Sequence, residues 1–231
     1  MVLVVVLKKC DNFMMAPKII AIDGPAAAGK GTLAKRLAEH FGMELLDTGL
    51  LYRAVGRKVL DAFVEIGDDP KIFSVIAEKI AQNLIPADLE VDGLRTDQAA
   101  QAASKISTVP EVRAALLDFQ RDFAMNPPNR GKGAILDGRD IGTVVCPDAD
   151  IKLFIFASTE VRAKRRYKEL QYRGVEAIYA RVLEDMEKRD ARDIERDASP
   201  LIPAKDSFQL DTNNLDADRA LAVVLDYIQN K

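Results

Sequence analysis

Histidine and cysteine are scarce in this 231-residue chain, which has one histidine, His40, and two cysteines, Cys10 and Cys146. A single histidine argues against a histidine-based catalytic triad and against a zinc site built from several histidines. Two cysteines so far apart form neither a disulfide framework nor a CxxC metal motif, and such usage is typical of a reducing cytoplasm. Tryptophan is missing and aromatic residues make up only 6% of the chain, which argues against carbohydrate-stacking sites.

The chain also lacks an excess of positive charge, because 33 basic residues stand against 36 acidic ones and the net charge is −3. A protein that coats nucleic acid needs a basic surplus, so we expect no nucleic-acid partner. Apolar residues make up 48% and charged residues 30%, as in ordinary globular domains. The length fits one large domain, such as an α/β fold with an insert, and the many charges favour a monomer.

The apolar run MVLVVVL at residues 1–7 is too short to cross a membrane. Its positive charges follow the apolar residues, whereas a secretory signal carries them in front. We therefore expect residues 1–16 to form an extension outside a single domain at 17–231, with Met14 or Met15 as alternative start residues. The alternative interpretation is a membrane or export tag.

Short apolar segments alternate with amphipathic ones along the rest of the chain. The predicted strands cover residues 18–23, 44–47, 133–137, 151–157 and 207–211. Most of the intervals have helical spacing, including a long charged helix over 175–196 with Val175 and Ile178 on its apolar side. This alternation predicts an α/β fold, a parallel five-stranded sheet with helices on both faces. Residues 67–96 differ, and we expect an insert there, with a helix near 70–83 and an irregular or hairpin-like second half.

The segment GPAAAGKGT follows the first predicted strand and opens a helix, which is the context of a phosphate-binding P-loop. Its glycines allow a tight turn, its small residues leave backbone N–H groups open to phosphates, and Lys30 supplies a charge to the β- and γ-phosphates. The alternative is a glycine-rich turn with a surface lysine. The predicted ATP-binding residues are Gly24, Pro25, Ala26, Ala27, Ala28, Gly29, Lys30, Gly31 and Thr32.

Isolated arginines follow the predicted strand ends and line the long charged helix, where fixed cations could bind phosphate groups. They are Arg53, Arg139, Arg189, Arg192 and Arg196. Arginine binds phosphate through a two-pronged, permanently charged group. The alternative for each is a solvated helix face.

Five motifs in order make the chain resemble the bacterial cytidylate kinases, which are nucleoside monophosphate kinases of the P-loop class. Besides GPAAAGKGT, they are DTGLLYR at 47–53, AASKISTVPEVRAALLDFQRDF at 102–123, DGRDIGTVV at 137–145 and RDARDIER at 189–196. The resemblance implies transfer of the γ-phosphoryl group of ATP, as Mg-ATP, to CMP and dCMP. The alternatives are a kinase for UMP or AMP and an RNA-binding ATPase.

The resemblance also implies roles for individual residues. Those expected on the CMP phosphate are Thr48, Tyr52, Arg53, Arg139 and Arg196. Arg189 and Asp193 would hold the ribose, while Ser104, Arg113 and Asp140 would recognise cytosine. Cytosine offers an amine donor beside two acceptors, which suits a carboxylate beside an arginine. The alternative for Asp140 is a turn or salt-bridge residue next to Arg139.

Catalysis is assigned to Lys30, Asp137, Arg139, Arg189 and Arg192. Thr32 and Asp137 are the expected magnesium contacts, the latter directly or through water. Gly31 occupies the position where a hydroxyl usually stands, and the hydroxyl of Thr32 comes one place later. Asp23 ends the first predicted strand. The alternative to a role for it in the site is a hydrogen bond to the loop that it precedes.

A basic helix over 159–173 carries Arg162, Lys164, Arg165, Arg166 and Lys168 without an acidic residue among them. We expect it to belong to a mobile lid, about 162–197, that closes over phosphates. The alternative is a nucleic-acid patch. The insert at 67–96 is shorter than the strand-rich insert of many bacterial cytidylate kinases, which bears on how the monophosphate-binding part closes.

Overall fold

A computed structural model describes residues 18–66, 70–128 and 132–231. The predicted extension at 1–16 lies outside these residues. The strands are β1 (Ile19–Asp23), β2 (Glu44–Asp47), β3 (Ala134–Asp137), β4 (Ile151–Phe156) and β5 (Phe208–Asp211). The helices are α1 (Lys30–Phe41), α2 (Thr48–Ile66), α3 (Pro70–Gln82), α4 (Asp97–Ile106), α5 (Pro110–Met125), α6 (Thr159–Tyr172), α7 (Tyr179–Glu195) and α8 (Ala217–Gln229).

The five strands form one parallel sheet in the order β2-β3-β1-β4-β5, which confirms the predicted architecture. β1 is central, and Ile20 pairs in register with Ile135 on β3 and with Ile151 on β4. Asp137, the last residue of β3, pairs with Ile22 on one side and Asp47 on the other. The carboxyl ends of β1, β2 and β3 therefore meet at one edge of the sheet.

Helices cover both faces of the sheet, as the sequence predicts. Ile20 and Ile22 on β1 are fully buried in a cluster with residues of α1 and α8, such as Leu37 and Val224. Ala21, between them, packs into a second cluster with residues of α2 and α5. Alternate side chains of a strand point to opposite faces, so a continuous apolar run is buried on both sides.

In the insert, α3 confirms the predicted helix, and a single 3-10 turn, Pro86–Leu89, follows it. No strand occurs in the described part of 67–96, so the hairpin-like alternative is wrong and the irregular one is correct. Asp88 accepts the N–H of Ile85 at 3.1 Å and pairs with Lys58 of α2 at 2.7 Å, which favours the compact turn.

The helix α4 was not predicted, although its alanine-rich sequence has high helix propensity. Its N-cap residue, Thr96, accepts the N–H of Ala99 through its hydroxyl oxygen at 3.3 Å. A buried face then packs this helix against α2, where Gly56 lets the two backbones approach. The helix carries Ser104, which is buried.

The long charged helix begins later than predicted, at Tyr179. Gly174 takes a left-handed φ of 70° after α6, and residues 175–178 form an irregular connection. Val175 and Ile178 precede α7 and are 43% and 58% exposed, so their expected place on its apolar side is wrong. In the part of the chain that the structure describes, no helix is long and apolar enough to cross a membrane.

Candidate active site

The P-loop occupies the turn between β1 and α1. Gly24 has a φ of 141°, and a Cβ there would stand 1.9 Å from the carbonyl oxygen of Ile155, so only glycine fits. Ala27 and Gly29 also take positive φ, 58° and 99°, and α1 begins at Lys30. The loop therefore presents backbone N–H groups and the positive end of the α1 dipole at one point, which is the geometry of an anion site.

Lys30 is only 6% exposed, which excludes the alternative of a surface lysine. Its Nζ donates to the carbonyl oxygen of Pro25 at 3.1 Å and lies 3.6 Å from Oδ1 of Asp137. Burial and the neighbouring Arg139 lower the pKa of Lys30 to about 8, although Asp137 opposes the shift. The ammonium group thus lies inside the loop, between the P-loop and the end of β3.

The predicted magnesium contacts lie in different surroundings. A Cβ on Gly31 would stand 3.5 Å from Oδ2 of Asp137, so the position that faces this carboxylate has no hydroxyl. Thr32 instead lines a cavity of about 240 Å³ together with Arg165 and Thr212. Magnesium commonly takes one or two carboxylates and completes its shell with water and phosphate oxygens. Asp137 fits that role, with Asp47 beside it in the register of β2 and β3.

Arg139 and Asp193 form an ion pair, with Nε of Arg139 2.9 Å from Oδ2 of Asp193. The pair joins the segment after β3 to helix α7. Arg189, one turn before Asp193 on α7, is half-buried beside it, and desolvation together with Arg139 lowers the pKa of Arg189 to about 10. A charged guanidinium that desolvation destabilises in this way is stabilised when an anionic ligand binds beside it.

Arg113 and Asp140 form a second buried pair, in which Nη2 of Arg113 donates to Oδ2 of Asp140. Nη2 of Arg196 is 3.9 Å from the other carboxylate oxygen. The ring of Tyr52 lies 5.6 Å from the guanidinium carbon of Arg113. Asp140 is thus a salt-bridge residue, although its partners are Arg113 and Arg196, whereas Arg139 pairs with Asp193.

Several predicted site residues carry buried polar atoms that make no hydrogen bond. Within the described residues, six buried side-chain polar atoms lack a hydrogen bond, and five belong to predicted site residues. The five atoms are Ser104 Oγ, Arg113 Nε, Arg189 Nε, Arg192 Nε and Arg196 Nη2. Buried polar groups are normally satisfied, so this concentration indicates a place where polar ligand atoms complete the bonding.

Two predicted phosphate contacts are already engaged. The hydroxyl of Thr48 donates to the carbonyl oxygen of Asp137 at 2.8 Å, so its proton is committed. Nη1 of Arg53 donates to the carbonyl oxygen of Leu94 at 2.8 Å, which ties α2 to the end of the insert. Both residues lie at the site, but Thr48 holds the end of β3 in place and Arg53 has only its remaining N–H groups for a ligand.

The basic helix α6 contributes residues to which no specific role had been assigned. Arg162 is 3% exposed, donates to the carbonyl oxygens of Ala26 and Ala157, and forms a two-pronged pair with Asp190 of α7. Arg165 bonds the backbone and hydroxyl oxygens of Thr212. These arginines therefore join α6 to the P-loop and to the end of β5. Their charge pattern in the sequence predicted a lid without identifying which of them face inward.

Asp23 does not bond the loop that it precedes. Its two carboxylate oxygens accept the N–H groups of Ile141 at 2.8 Å and Gly142 at 2.7 Å, in the wide π-helical turn Ile141–Val145 after β3. Burial raises the pKa of Asp23 to about 7, although the two hydrogen bonds oppose the shift.

Comparisons with known proteins agree with this geometry. A family model described as cytidylate kinase matches residues 20–230. The chain is 59% identical over 213 residues to the cytidylate kinase of Paramagnetospirillum magneticum, covering 92% of this chain and 98% of the relative. It is 53% identical over 212 residues to the cytidylate kinase of Methylocella silvestris, covering 92% and 94%. A solved structure of an uncharacterized protein from Eubacterium ventriosum has a TM-score of 0.53 at 19% identity, covering 93% and 99%, and shares the fold.

Proposed function

The chain belongs to the cytidylate kinase family, and we propose that it transfers the γ-phosphoryl group of ATP to CMP at the carboxyl edge of β1, β2 and β3. The observation that carries this assignment is the concentration of buried side-chain polar atoms without a hydrogen bond on Ser104, Arg113, Arg189, Arg192 and Arg196. The reaction forms a bond between the γ-phosphorus and an oxygen of the CMP phosphate. It breaks the bond from the γ-phosphorus to the oxygen that bridges it to the β-phosphate, and that oxygen leaves with ADP.

The P-loop binds the ATP phosphates through its backbone N–H groups and the α1 dipole. Lys30 donates to the β- and γ-phosphate oxygens once the nucleotide replaces its present contact with Pro25. Its low pKa in the free enzyme supports this role, because a buried ammonium is stabilised when a polyanion binds beside it.

Arg139, Arg189 and Arg192 stabilise the negative charge that spreads over the transferred group. Phosphoryl transfer depends mainly on positioning and charge stabilisation, so fixed cations on both sides of the reacting phosphates lower the barrier. Arg139 is held by Asp193 and by its own neighbour, the carbonyl of Gly138. Arg162 donates hydrogen bonds to the carbonyl oxygen of Ala26 and to the carboxylate of Asp190. These bonds keep α7, which carries Arg189 and Arg192, next to the P-loop.

A magnesium ion would accompany ATP as Mg-ATP, and Asp137 would hold it. When bound, the ion neutralises charge on the β- and γ-phosphate oxygens. Asp137 would hold the ion directly or through water, because its carboxylate lies at the end of β3 and faces both Lys30 Nζ and the position of Gly31. The placement of Thr32 in the cavity with Thr212 supports a contact with ATP more than a contact shared with Asp137.

The acceptor is held at the opposite end of the cleft. Arg53, Arg139 and Arg196 supply the phosphate with donors, while Arg189 and Asp193 take the ribose hydroxyls. Asp140 accepts from the exocyclic amine of cytosine, and Arg113 donates to the ring acceptors. UMP presents a carbonyl where CMP presents the amine, so the same arrangement discriminates against it. Loss of the 2′-hydroxyl in dCMP removes one ribose contact and leaves base recognition intact.

A nucleotide panel tests this assignment. ADP release is measured with ATP and either no acceptor, CMP, dCMP, UMP, AMP or single-stranded RNA. We expect turnover with CMP and dCMP, far less with UMP and AMP, and no stimulation by RNA. Faster turnover with UMP or AMP than with CMP would contradict the acceptor assignment, and RNA-stimulated hydrolysis without an acceptor would support an RNA-dependent ATPase instead.

A further inference from the structure

We propose that Asp23 is a positioning residue that holds Asp140 in place and thereby sets the preference of the enzyme for CMP over UMP. The inference rests on the proposed role of Asp140 in cytosine recognition. Asp23 contacts neither nucleotide in this scheme, and it acts through the turn that follows Asp140.

The contact between Asp23 and the turn is specific. The two oxygens of one carboxylate accept the N–H groups of Ile141 and Gly142, the two residues directly after Asp140. A Cβ on Gly142 would lie 3.4 Å from Oδ2 of Asp23 and 3.3 Å from the side chain of Lys152, so glycine permits this close approach. Because Asp23 is 5% exposed, water cannot readily replace it as the acceptor.

The other end of the same turn is held from helix α5. Arg121 donates to the carbonyl oxygens of Val144 at 3.1 Å and Val145 at 3.2 Å. Two turns earlier, α5 also carries Arg113, the partner of Asp140. The turn is therefore fixed to β1 at its beginning and to α5 at its end, and the orientation of Asp140 depends on both attachments.

Asp23 is itself held rigidly. It is the last residue of β1, the central strand, and it pairs in register with Phe154 of β4. The next residue, Gly24, begins the P-loop. Asp23 therefore fixes the base-recognising segment relative to the phosphate-binding loop. The cytosine of CMP and the phosphates of ATP are then both positioned from the carboxyl end of β1.

An isosteric variant isolates this role. In Asp23→Asn, the amide offers one oxygen and one NH₂ group, so one backbone N–H of the turn meets a donor. The free energy of one such hydrogen bond corresponds to about a tenfold change in kcat/KM. We expect kcat/KM for CMP to fall about tenfold, through KM for CMP, with less than about a threefold change for UMP and for KM of ATP.

Asp150 provides a matched control at the other end of β1. Its Oδ2 also accepts two backbone N–H groups, those of Lys18 and Ile19, both at 2.9 Å. Asp150→Ala removes a carboxylate that caps the opposite end of the same strand and makes neither of the two hydrogen bonds of Asp23 to the turn. We expect it to lower the unfolding temperature without changing the ratio of kcat/KM for CMP and UMP.

Steady-state kinetics of the wild type, Asp23→Asn, Asp150→Ala and Asp140→Ala decide the question. A loss selective for CMP in Asp23→Asn, with Asp150→Ala unchanged in selectivity, supports the proposal. Equal losses for CMP and UMP, or no loss, would overturn it. If Asp140→Ala itself fails to separate CMP from UMP, the proposed base recognition is wrong, and that outcome also overturns the role of Asp23.

Arg121→Met tests the same role where Asp23→Asn fails to fold. The residue is exposed, so its replacement leaves no cavity in the core. It releases the carbonyls of Val144 and Val145 at the far end of the turn, and a smaller loss selective for CMP is expected. An unchanged CMP-to-UMP ratio in a folded Arg121→Met would overturn the proposal.

Discussion

Arg113 of helix α5 and Asp140 of the segment after β3 form an ion pair in which both side chains are less than 10% exposed. The residues are 27 positions apart in the chain, and the fold brings them together beside Tyr52. Removing one partner of a buried pair leaves an unpaired charge, which is costly. Any variant of this pair must therefore be compared for stability as well as for activity.

The first prediction concerns base selectivity. Asp140→Ala removes the acceptor for the cytosine amine, so kcat/KM for CMP should fall about 10²-fold, the cost of one charge-assisted bond plus orientation. The loss for UMP should be much smaller, and KM for ATP should barely move. Steady-state kinetics with both acceptors at varied ATP measures this, with the unfolding temperature recorded in parallel. Equal losses for both acceptors would mean that Asp140 organises the site generally.

Lys30 should be required for transfer. Lys30→Ala removes the cation at the β- and γ-phosphates, and kcat should fall at least about 10²-fold while the protein remains folded. Lys35→Ala is the matched control, because this lysine is exposed on the same helix and should have no effect. Coupled ADP release with CMP measures both variants. Normal phosphorylation of CMP by Lys30→Ala would refute the phosphate-binding assignment of the loop.

The low pKa of Lys30 predicts a pH dependence in the free enzyme. Above about pH 8 the free enzyme loses the proton on Lys30, so kcat/KM for ATP should decline with rising pH. Lys30→Arg stays charged throughout this range and should lack the decline, whatever its overall activity. Kinetics of both proteins from pH 7 to 9.5 test this. If Lys30→Arg shows the same decline as the wild type, the decline belongs to another group.

The same pKa shift predicts a trend in stability. Between about pH 8 and 10.5 the unfolded chain binds more protons at Lys30 than the folded chain does. The free energy of unfolding contributed by this residue should therefore rise with pH across that interval. Denaturant unfolding of the wild type against Lys30→Ala at several pH values measures the difference. A contribution that falls over this range would contradict the lowered pKa.

Gly24 should be intolerant of any side chain. In Gly24→Ala the new Cβ would stand 1.9 Å from the carbonyl oxygen of Ile155, so β1 and β4 must shift, at a cost of about 3 kcal/mol or more in the free energy of unfolding. Gly29→Ala is the comparison, because its Cβ meets nothing within 4 Å and only the positive φ is unfavourable, about 1–2 kcal/mol. Denaturant unfolding of both variants should rank them in this order, and the reverse order would contradict the close approach to Ile155.

The elements that the sequence predicted best are those with a strong local signal. The run KIIAID followed by GPAAAGKGT identified a buried strand, a phosphate loop and a helix start, because each depends on neighbouring residues alone. Errors arose where the local signal was weak. In α4 the buried face at Ala99, Ala103 and Ile106 has helical spacing but is made mostly of alanine, which is a weak apolar signal. The start of α7 was placed early because Val175 and Ile178 fit a helical spacing that the chain does not adopt.

The sequence by itself determined the succession of the five strands and most of the helices along the chain, the P-loop and the residue types available for binding phosphates. It could do so because hydrophobic periodicity and glycine placement act over short distances. Only the tertiary structure decided which charges face one another. The pairing of Arg113 with Asp140, of Arg139 with Asp193 and of Arg162 with Asp190 joins separate elements. The contact of Asp23 with the turn after Asp140 spans 118 positions. Such contacts depend on the order of the strands in the sheet and on how the helices pack against it. No local sequence pattern shows which of the many charged side chains becomes buried.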